Sequence, residues 1–262
     1  MNQPSAFQLH NQTALITGGG TGLGLGMARC LSEAGAKVVL VGRRTSELER
    51  AAAEIGDAAF PLQGDVTDTA SLPSLVQQAE QLAGPISILI NNAGIHLKKL
   101  ALDTSPEEFL QVLNTHVIGA HALTCAVLPG MIARGHGSVI FIASMASQFG
   151  IPRVIAYSAA KSAFIGMVRT LATEVSGDGV RVNAIAPGWI DSDMMRKALD
   201  SDPARRDKIL ARTPMGRFGE PEEIAHAGLF LISDKASFIT GEVMRPGSVP
   251  YQPGLTVLQA QT

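Results

Sequence analysis

The segment TALITGGGTGLG, residues 13–24, decides the fold of this chain. Its first five residues, Thr13–Thr17, form a short run rich in apolar and β-branched residues, which predicts a buried strand. Five glycines follow within residues 18–24, of which Gly18, Gly22 and Gly24 form the motif, and the next ten residues have helical spacing. Glycine permits a tight turn and lets phosphate oxygens approach backbone N–H groups at a helix N-terminus. The segment therefore predicts a dinucleotide-binding turn, although its Gly-x-x-x-Gly-x-Gly spacing differs from the common Gly-x-Gly-x-x-Gly.

The same alternation of a short apolar run and a helical pattern continues along the chain. Continuous apolar runs indicate parallel strands that are buried on both faces by helices. No repeat, low-complexity tract or linker interrupts them, so we predict one doubly wound α/β domain over residues 1–262. Further strands are predicted at 37–41, 59–63, 86–91, 138–143 and 180–184, with a weak one near Val243, and further helices at 45–55, 71–82, 106–113, 116–134, 157–176 and 221–232.

Composition limits the partners and the compartment. The 262 residues are 46% hydrophobic and 17% charged, with a net charge of −2, so neither a nucleic-acid partner nor an anionic membrane surface is expected. No uninterrupted apolar run approaches the ~18 residues of a membrane span, and residues 1–11 lack the apolar core of a signal peptide. We expect a cytoplasmic protein whose two cysteines, Cys30 and Cys125, are reduced core residues.

Two arginines follow the second strand. Dinucleotide folds that bind NAD usually place an acidic residue near this point to hold the ribose 2′-hydroxyl. Here Gly42 stands in that place, followed by Arg43 and Arg44. Guanidinium groups suit a 2′-phosphate, which favours NADP over NAD. The alternative is a pair of solvated surface arginines.

Other strand ends also carry candidate ligand contacts. Asp65 and Val66 follow the third strand and could face the adenine, while the run 91–94, Asn-Asn-Ala-Gly, follows the fourth and could line the nicotinamide side. In such sheets ligands bind outside the carboxyl ends of the strands. Pro187 and Gly188 would turn the chain into a substrate-covering segment at about 189–212.

The region 144–161 supplies candidate catalytic groups. Tyr157 and Lys161 are four residues apart and share one face of a predicted helix. A nearby positive charge favours the phenolate, so we expect Lys161 to pull the pKa of Tyr157 down toward working pH for acid/base chemistry. Ser144 ends the strand 138–143, and its hydroxyl could hold a substrate oxygen against the tyrosine. A lone Tyr-x-x-x-Lys pair is common on helices, and its significance here comes from the surrounding motifs.

Together these pieces resemble the short-chain dehydrogenase/reductase family in its compact single-domain form, from about Thr13 to Gly241. The resemblance implies a seven-stranded Rossmann-type sheet, a nicotinamide cofactor, a small alcohol or ketone substrate, and a homo-oligomer, commonly a tetramer packed through two long helices, with a dimer also possible. Tyr157 would be the acid/base, Ser144 the substrate positioner, and Lys161 both the tuner of Tyr157 and a ligand of the ribose. The implied cofactor contacts are Gly18, Thr21, Gly22, Leu23, Gly24, Arg43, Arg44, Asp65, Val66, Asn92, Ala93, Gly94, Tyr157, Lys161, Pro187, Gly188, Ile190 and Ser192.

Two positions depart from the family pattern. A fourth catalytic residue, usually Asn, would fall on His116, while Asn114 lies two positions away and would face elsewhere on a helix. His116 could hold, through a ring nitrogen, the water molecule that the Asn of the family would hold, and it would add a titratable group. Alternatively, His116 could be a histidine that lies beside an intact site. After Gly241 the usual Asp-Gly-Gly turn is replaced, and Pro246 removes a ladder donor. We therefore expect an atypical tail at about 242–262, and the sequence leaves open whether the weak last strand and any tetramer contact of this tail form.

The sequence is compatible with several substrates and functions. Residues 91–99, NNAGIHLKK, the His116 variant and the run IASMAS at 142–147 resemble gluconate 5-dehydrogenase-like members, which implies a sugar acid as substrate; His96, Lys98, Lys99 and Arg153 could attract its carboxylate. The alternatives are a reductase of 3-oxoacyl thioesters or other ketones, and a catalytically idle NADP-binding regulator or scaffold. Histidine spacing matches no zinc pattern, so we predict no metal site.

Overall fold

Seven parallel strands form one sheet in the order β3-β2-β1-β4-β5-β6-β7. This computed structural model describes residues 7–191, 195, 196, 199 and 203–247. The strands are β1 (Thr13–Thr17), β2 (Lys37–Gly42), β3 (Ala59–Gln63), β4 (Ile88–Asn91), β5 (Gly137–Ile142), β6 (Val180–Ile185) and β7 (Val243–Met244). The predicted doubly wound Rossmann-type sheet is confirmed.

Helices cover both faces of this sheet. They are α1 (Gly22–Glu33), α2 (Thr45–Ile55), α3 (Leu72–Ala83), α4 (Pro106–Leu113), α5 (Gly119–Arg134), α6 (Ile155–Val175), α7 (Pro203–Arg212) and α8 (Pro221–Ile232). One apolar core packs α3, α5 and α6 against the sheet, and a second packs α1, α2 and α8 against the opposite face. Strand side chains alternate between the two cores, which explains why most residues of the central strands are apolar.

The first helix begins three residues earlier than its apolar pattern predicts. α1 starts at Gly22 instead of Leu25, because Gly22 has a φ of +55° and turns the chain directly from the extended residue Thr21 into the helix. Gly22 and Gly24 therefore lie within the first turn of α1 and not before it. The open N–H groups of this turn face the carboxyl end of the sheet.

A five-residue π turn, Asn114–Ile118, joins α4 to α5. The sequence predicted ordinary helix from residue 116, but a single π turn inserts an extra residue into the helical ladder and occurs frequently at functional sites. By length and hydropathy the helical run Pro106–Arg134 could cross a membrane. Its residues Leu123 and Met131 are instead fully buried against the sheet, as in the core helix of a soluble fold.

One expectation about the periphery is wrong, and the weak last strand predicted near Val243 is confirmed. Cys30 is buried but Cys125 is exposed on α5, because the apolar composition of that helix does not confine its apolar side chains to one face. The last strand does form: β7 pairs in parallel with β6, aligning Val243 with Ala184. It ends before Pro246, so the missing N–H of that residue costs no ladder hydrogen bond. Residues 248–262 of the tail lie outside the described residues.

Candidate active site

The order of the strands reverses between β1 and β4. Connections from β1 lead outward through β2 to β3, whereas those from β4 lead the other way through β5 to β7. A crevice opens at this point outside the carboxyl ends of the two strands, where ligands bind in open α/β sheets. Thr17 and Asn91 end the two strands, and the glycine turn and the Asn-Asn-Ala-Gly run begin beside them.

Thr17 fixes the geometry of this crevice. Its Oγ1 accepts hydrogen bonds from the backbone N–H groups of Asn92 and Ala93, both at 3.0 Å, and donates to the carbonyl of Ile90 at 3.2 Å. The Asn92 amide donates in turn to the carbonyls of Thr17 (2.9 Å) and Gly18 (3.3 Å). The sequence did not predict Thr17 as a site residue, because its pattern indicates only a position in a strand. Asn91 is buried at the edge of the same crevice, and its side-chain amide donates to Thr124 at 3.0 Å.

The glycine turn fits a dinucleotide. A Cβ at Gly24 would overlap the carbonyl oxygen of Gly18, and one at Gly18 would press on the Asn92 side chain, so these positions allow only glycine. Gly22 faces open space, and Thr21 beside it is exposed while Leu23 is half-buried. The result is a cradle of backbone N–H groups at a helix N-terminus, which suits a pyrophosphate.

The end of β2 presents two exposed arginines with different surroundings. Arg44 lies 3.9 Å from the carboxylate of Glu47, on the first turn of α2. Arg43 faces Asp65, near the end of β3; burial acts to raise the pKa of Asp65, but hydrogen bonds from Thr67 and the charge of Arg43 lower it overall. Val66 is buried and its carbonyl packs against α5, but it still lines a small crevice together with Thr17 and Ala93.

Ser144, Tyr157 and Lys161 meet on the other side of the crevice. The Tyr157 side chain is hydrogen bonded to that of Ser144, which caps the short turn Met145–Ser147 by accepting from the Ala146 N–H at 3.1 Å. Lys161 is 3% exposed; its Nζ donates to the carbonyl of Ile142 at 2.6 Å and lies 5.6 Å from the centre of the Tyr157 ring. Strand β5 and helix α6 thus bring the three side chains together as the sequence predicts.

The electrostatics of this trio differ from the expectation. Burial raises the pKa of Tyr157, and the hydrogen bond with Ser144 only partly offsets it. Burial also lowers the pKa of Lys161 to about 7. The predicted lowering of the Tyr157 pKa by Lys161 is therefore wrong for the protein alone, because desolvation outweighs the attraction between a phenolate and an ammonium that is itself poorly solvated.

The histidine in the π turn belongs to the site, whereas Asn114 is exposed on the surface. His116 is 2% exposed, and its ring meets the Tyr157 ring edge-on, with centres 5.6 Å apart. Its Nε2 lies 3.1 Å from the Ile95 nitrogen and 2.9 Å from the Ile95 oxygen, while Nδ1 is buried without a protein partner. A Cβ at Gly94 would overlap the imidazole, so the glycine makes room for it.

His116 does not add a group that titrates near neutral pH. Burial, reinforced by the nearby charge of Lys161, lowers the pKa of His116 to about 3. The imidazole is therefore neutral at physiological pH and acts only through hydrogen bonds. Which ring nitrogen carries the proton follows from whether Nε2 donates to the Ile95 oxygen or accepts from its nitrogen.

A second histidine covers Tyr157. The ring of His96 stacks on the phenol ring, with centres 4.9 Å apart and planes inclined by 19°. The sequence placed His96 only near the pocket mouth, because stacking depends on how a loop folds back over a distant helix.

The remaining candidates lie at the end of β6. Gly188 approaches the backbone of Gly247 closely, and its N–H donates to the carbonyl of Pro246 at 2.9 Å. Pro187 accepts from the Met145 N–H at 3.3 Å, next to Ser144. Ile190 is buried and pairs with Gly219. Ser192 lies outside the described residues, as does much of the segment that follows it.

A doubly wound sheet with a phosphate cradle on one side of the crevice and a serine, tyrosine and lysine on the other defines a nicotinamide-dependent oxidoreductase. A family model described as enoyl-(acyl carrier protein) reductase matches residues 18–245. The chain belongs to the short-chain dehydrogenase/reductase family, whose named members act on alcohol and ketone groups.

Three similar proteins illustrate the range of this family. The inactive 2-(S)-hydroxypropyl-CoM dehydrogenase 2 of Xanthobacter autotrophicus is 43% identical over 82% of this chain and 95% of its own length. Galactitol 2-dehydrogenase (L-tagatose-forming) of Cereibacter sphaeroides is 39% identical over 93% and 96%. A crystal structure from Beutenbergia cavernae, assigned as an NAD(P)-dependent gluconate 5-dehydrogenase and holding NADP at low occupancy, has a TM-score of 0.85 and 34% identity over 93% and 97%.

Proposed function

We propose that this protein is an NADP(H)-dependent oxidoreductase that interconverts a secondary alcohol and a ketone on a sugar acid such as gluconate and 5-ketogluconate. The observation that supports it best is the hydrogen-bonded Ser144–Tyr157 pair, with the buried Lys161 beneath it, beside the glycine cradle. The nicotinamide would supply or accept the hydride. Proton transfer and the positioning of the substrate oxygen would be carried out by side chains of this protein.

Tyr157 moves the proton. Its raised pKa keeps the hydroxyl protonated, so it is ready to donate to a ketone oxygen as the alcohol forms. Ser144 holds the same oxygen, since its hydroxyl already points at that of Tyr157. In the oxidative direction Tyr157 must act as a base, and Lys161 favours this when it carries its charge.

The choice of NADP depends on the end of β2. Arg43 and Arg44 are exposed there, and no acidic side chain takes the position after Val41 that would repel a 2′-phosphate. Asp65 faces Arg43, but a phosphate can share that guanidinium, which has five donors. The gluconate-like neighbour that holds NADP is consistent with this choice.

The sugar-acid substrate rests on the similar structures and on the cations at the pocket mouth. Lys98 and Arg153 are exposed beside the site, on segments joined by a hydrogen bond from the Lys99 N–H to the Arg153 carbonyl at 2.9 Å. Lys99 itself is paired with Glu108 at 2.5 Å, so it is a weaker candidate for binding a carboxylate.

Two alternative functions are each favoured by a specific observation. A reductase of 3-oxoacyl thioesters would use the same Ser144 and Tyr157, and the description of the matching family model favours acyl-carrier chemistry. A catalytically idle NADP-binding protein is favoured by the similarity to a relative named as inactive. The complete catalytic trio argues against the second alternative, because cofactor binding alone does not require Ser144.

Family members form oligomers, and we propose a cytoplasmic homotetramer here. Leu110 and Ile118, along the α4–α5 run, are exposed apolar residues that a second copy would cover. Sedimentation should give a mass near four times 27.4 kDa; a monomer at micromolar concentration would contradict the proposal.

The decisive experiment follows nicotinamide absorbance with NADP and with NAD against gluconate, galactitol and a 3-oxoacyl thioester. We expect gluconate-dependent reduction of NADP. In Arg43→Ala the kcat/KM with NADP should fall about 10- to 100-fold, the value of a lost hydrogen-bonded charge, with little change for NAD. Arg44→Ala is the comparison variant and should change less, since the nearby Glu47 carboxylate, 3.9 Å away, partly offsets the charge of Arg44. Turnover with the thioester alone would favour the first alternative, and tight NADPH binding without any turnover the second.

A further inference from the structure

Helix α7 concentrates positive charge in a protein whose net charge is −2. Its ten residues, PARRDKILAR, include four basic residues and one acidic residue. Ile209 is buried on the inner side of the helix, while Arg206, Lys208 and Arg212 are exposed to solvent. The outer side of α7 is therefore a cationic surface, instead of an apolar one that another element of the chain would cover.

The segment that contains α7 is anchored beside the crevice. Ile190 and Gly219 pair in parallel at its base, which follows the carboxyl end of β6. Just before this base, the Pro187 carbonyl accepts from the N–H of the residue after Ser144, at 3.3 Å. Arg212 is seven residues before Gly219, which is at most about 25 Å of extended chain. The charges of α7 can therefore act on a ligand in the crevice, since the Debye length is about 30 Å at 0.01 M ionic strength.

Two further exposed cations lie on the segments around Tyr157. Lys98 follows His96, whose ring stacks on that of Tyr157, and Arg153 directly precedes the first turn of α6. The two segments are joined by a hydrogen bond from the Lys99 N–H to the Arg153 carbonyl at 2.9 Å. Lys98 and Arg153 thus add positive charge on the side of the crevice where the substrate must enter.

Carboxylates neutralise some cations of this region and leave others uncompensated. The ion pairs are Lys99 with Glu108, Arg196 with Asp191 and Arg217 with Glu223. Over the part of the chain that the structure describes, five cations near the crevice form no ion pair, and we call them the cationic rim: Lys98, Arg153, Arg206, Lys208 and Arg212. Asp207 offsets only one of these charges. An anion that approaches the crevice meets a positive potential that a neutral molecule does not feel.

We propose that the cationic rim recruits the substrate and selects small anionic hydroxy acids, such as sugar acids, over neutral alcohols of the same size. The rim raises the local concentration of the anion and its rate of entry, and it takes no part in hydride or proton transfer. This inference rests on the proposed alcohol–ketone chemistry at Tyr157. It narrows that proposal, because it makes the charge of the substrate the property that the entrance recognises.

The test follows kcat/KM for gluconate at saturating NADP, from about 0.01 to about 0.3 M ionic strength, with galactitol and cyclohexanol as neutral comparisons. A unit charge about 10–15 Å away changes the binding of a monovalent anion roughly 1.5- to 2-fold in water, and salt screens the effect. Lys208→Glu/Arg212→Glu reverses two charges. We expect it to lower kcat/KM for gluconate about tenfold at low salt but less than about twofold at high salt. Values for the neutral alcohols, and kcat for gluconate, should change less than about twofold.

Lys37→Glu/Lys235→Glu is the matched control, because it makes the same change in net charge at the other end of the sheet. Exposed Lys37 begins β2, and exposed Lys235 lies near Ser233, whose carbonyl accepts from Arg181 close to the start of β6. This control should keep the wild-type salt dependence and stay within about twofold in kcat/KM.

A milder variant separates charge from helix stability. Lys208→Gln/Arg212→Gln removes two charges without placing like charges in α7, and it should lose about threefold with gluconate at low salt. A loss that is equal on gluconate and cyclohexanol, or that persists at high salt, would mean that α7 supports the pocket only by its packing. An equal loss in the Lys37→Glu/Lys235→Glu control would mean that net charge and not its location matters.

Two results with wild type alone would also overturn the inference. A kcat/KM that is higher for galactitol than for gluconate at low salt would refute the selection of anions while leaving the hydride-transfer chemistry intact. Absence of turnover on every alcohol and ketone would instead refute the proposed function, and this inference with it.

Discussion

The two sides of the crevice are built by different physical means. On the cofactor side, the glycine backbone and the hydrogen bonds between Thr17 and Asn92 make a frame that depends on main-chain geometry. On the proposed catalytic side, Tyr157, Lys161 and His116 are desolvated side chains, and burial shifts the pKa of each. We therefore expect the cofactor side to lose function when a substitution adds volume. The catalytic side should lose function when a functional group is removed or when the pH changes.

The largest expected effect is on the catalytic side. Tyr157→Phe removes one oxygen and leaves the stacked and edge-on contacts of the ring in place. We expect kcat to fall about 10²- to 10⁴-fold, the usual contribution of a general acid/base. NADPH binding, followed by fluorescence titration, should stay within about threefold of wild type, since the phenol oxygen makes at most one hydrogen bond to the cofactor.

Phe164 provides the control for this variant. It is fully buried on the same helix beneath Lys161, and Phe164→Leu should lower thermal stability more than it alters kcat at saturating substrate. If Tyr157→Phe abolished NADPH binding as well, the two sides of the crevice would not be separable and the comparison would fail.

The second effect is on the cofactor side. In Gly24→Ala the new methyl group would overlap the Gly18 carbonyl, so the turn must move. We expect NADPH affinity to fall roughly 100-fold, because displacement of about 1 Å in a binding frame can cost that much. We also expect a lower melting temperature, because moving the turn reduces the stability of the folded state.

Gly166→Ala is the matched substitution, since Gly166 is exposed in α6 with open space around it. It should leave NADPH affinity unchanged and raise stability slightly, as alanine does in a helix interior. Unchanged NADPH affinity in Gly24→Ala would show that the turn is not the phosphate cradle.

The smallest effect is a pH dependence of stability in the protein without cofactor. Burial lowers the pKa of Lys161 from 10.5 to about 7. Between these two values the unfolded chain binds a proton that the folded chain does not, so this residue makes stability rise with pH across that window. In Lys161→Met the rise should flatten, which would appear as a difference of a few degrees in melting temperature between about pH 7 and about pH 9.

Lys37→Met, at an exposed position on β2, should keep the wild-type dependence. A wild-type curve that does not rise more steeply than that of Lys161→Met would mean that Lys161 remains fully charged in the fold. Bound NADP, which brings negative charge to the site, should reduce the contrast between the two proteins.

The elements of the fold could be predicted from the sequence because they depend on local patterns. Four of the strands are apolar in every residue or nearly so, and helices such as Thr45–Ile55 and Pro221–Ile232 carry an apolar stripe with residues that favour helix formation. The start of α1 was misplaced because the positive φ of Gly22 lets a helix begin inside the glycine run. The residue types alone do not reveal that Gly22 adopts this backbone conformation.

The candidate site was predictable in part for a similar reason. Tyr157 and Lys161 share a helix face by spacing alone, and Ser144 ends a neighbouring strand. Three features were not predictable: the stack of His96 on Tyr157, the support that Thr17 gives to Asn92, and the direction of the Tyr157 pKa. Each depends on burial or on contacts between residues far apart in the chain, which local patterns do not encode.

The π turn at Asn114–Ile118 has a consequence for how this region can evolve. A π turn arises when one residue is inserted into an α-helix, and removing a residue there would restore the ordinary ladder. Each residue of an α-helix turns the chain by about 100°. A single deletion between α4 and α5 would therefore swing His116 away from Ile95 and Tyr157 while leaving a longer, more regular helix. A regular helix at this point would therefore cost the contacts of His116 with Ile95 and Tyr157.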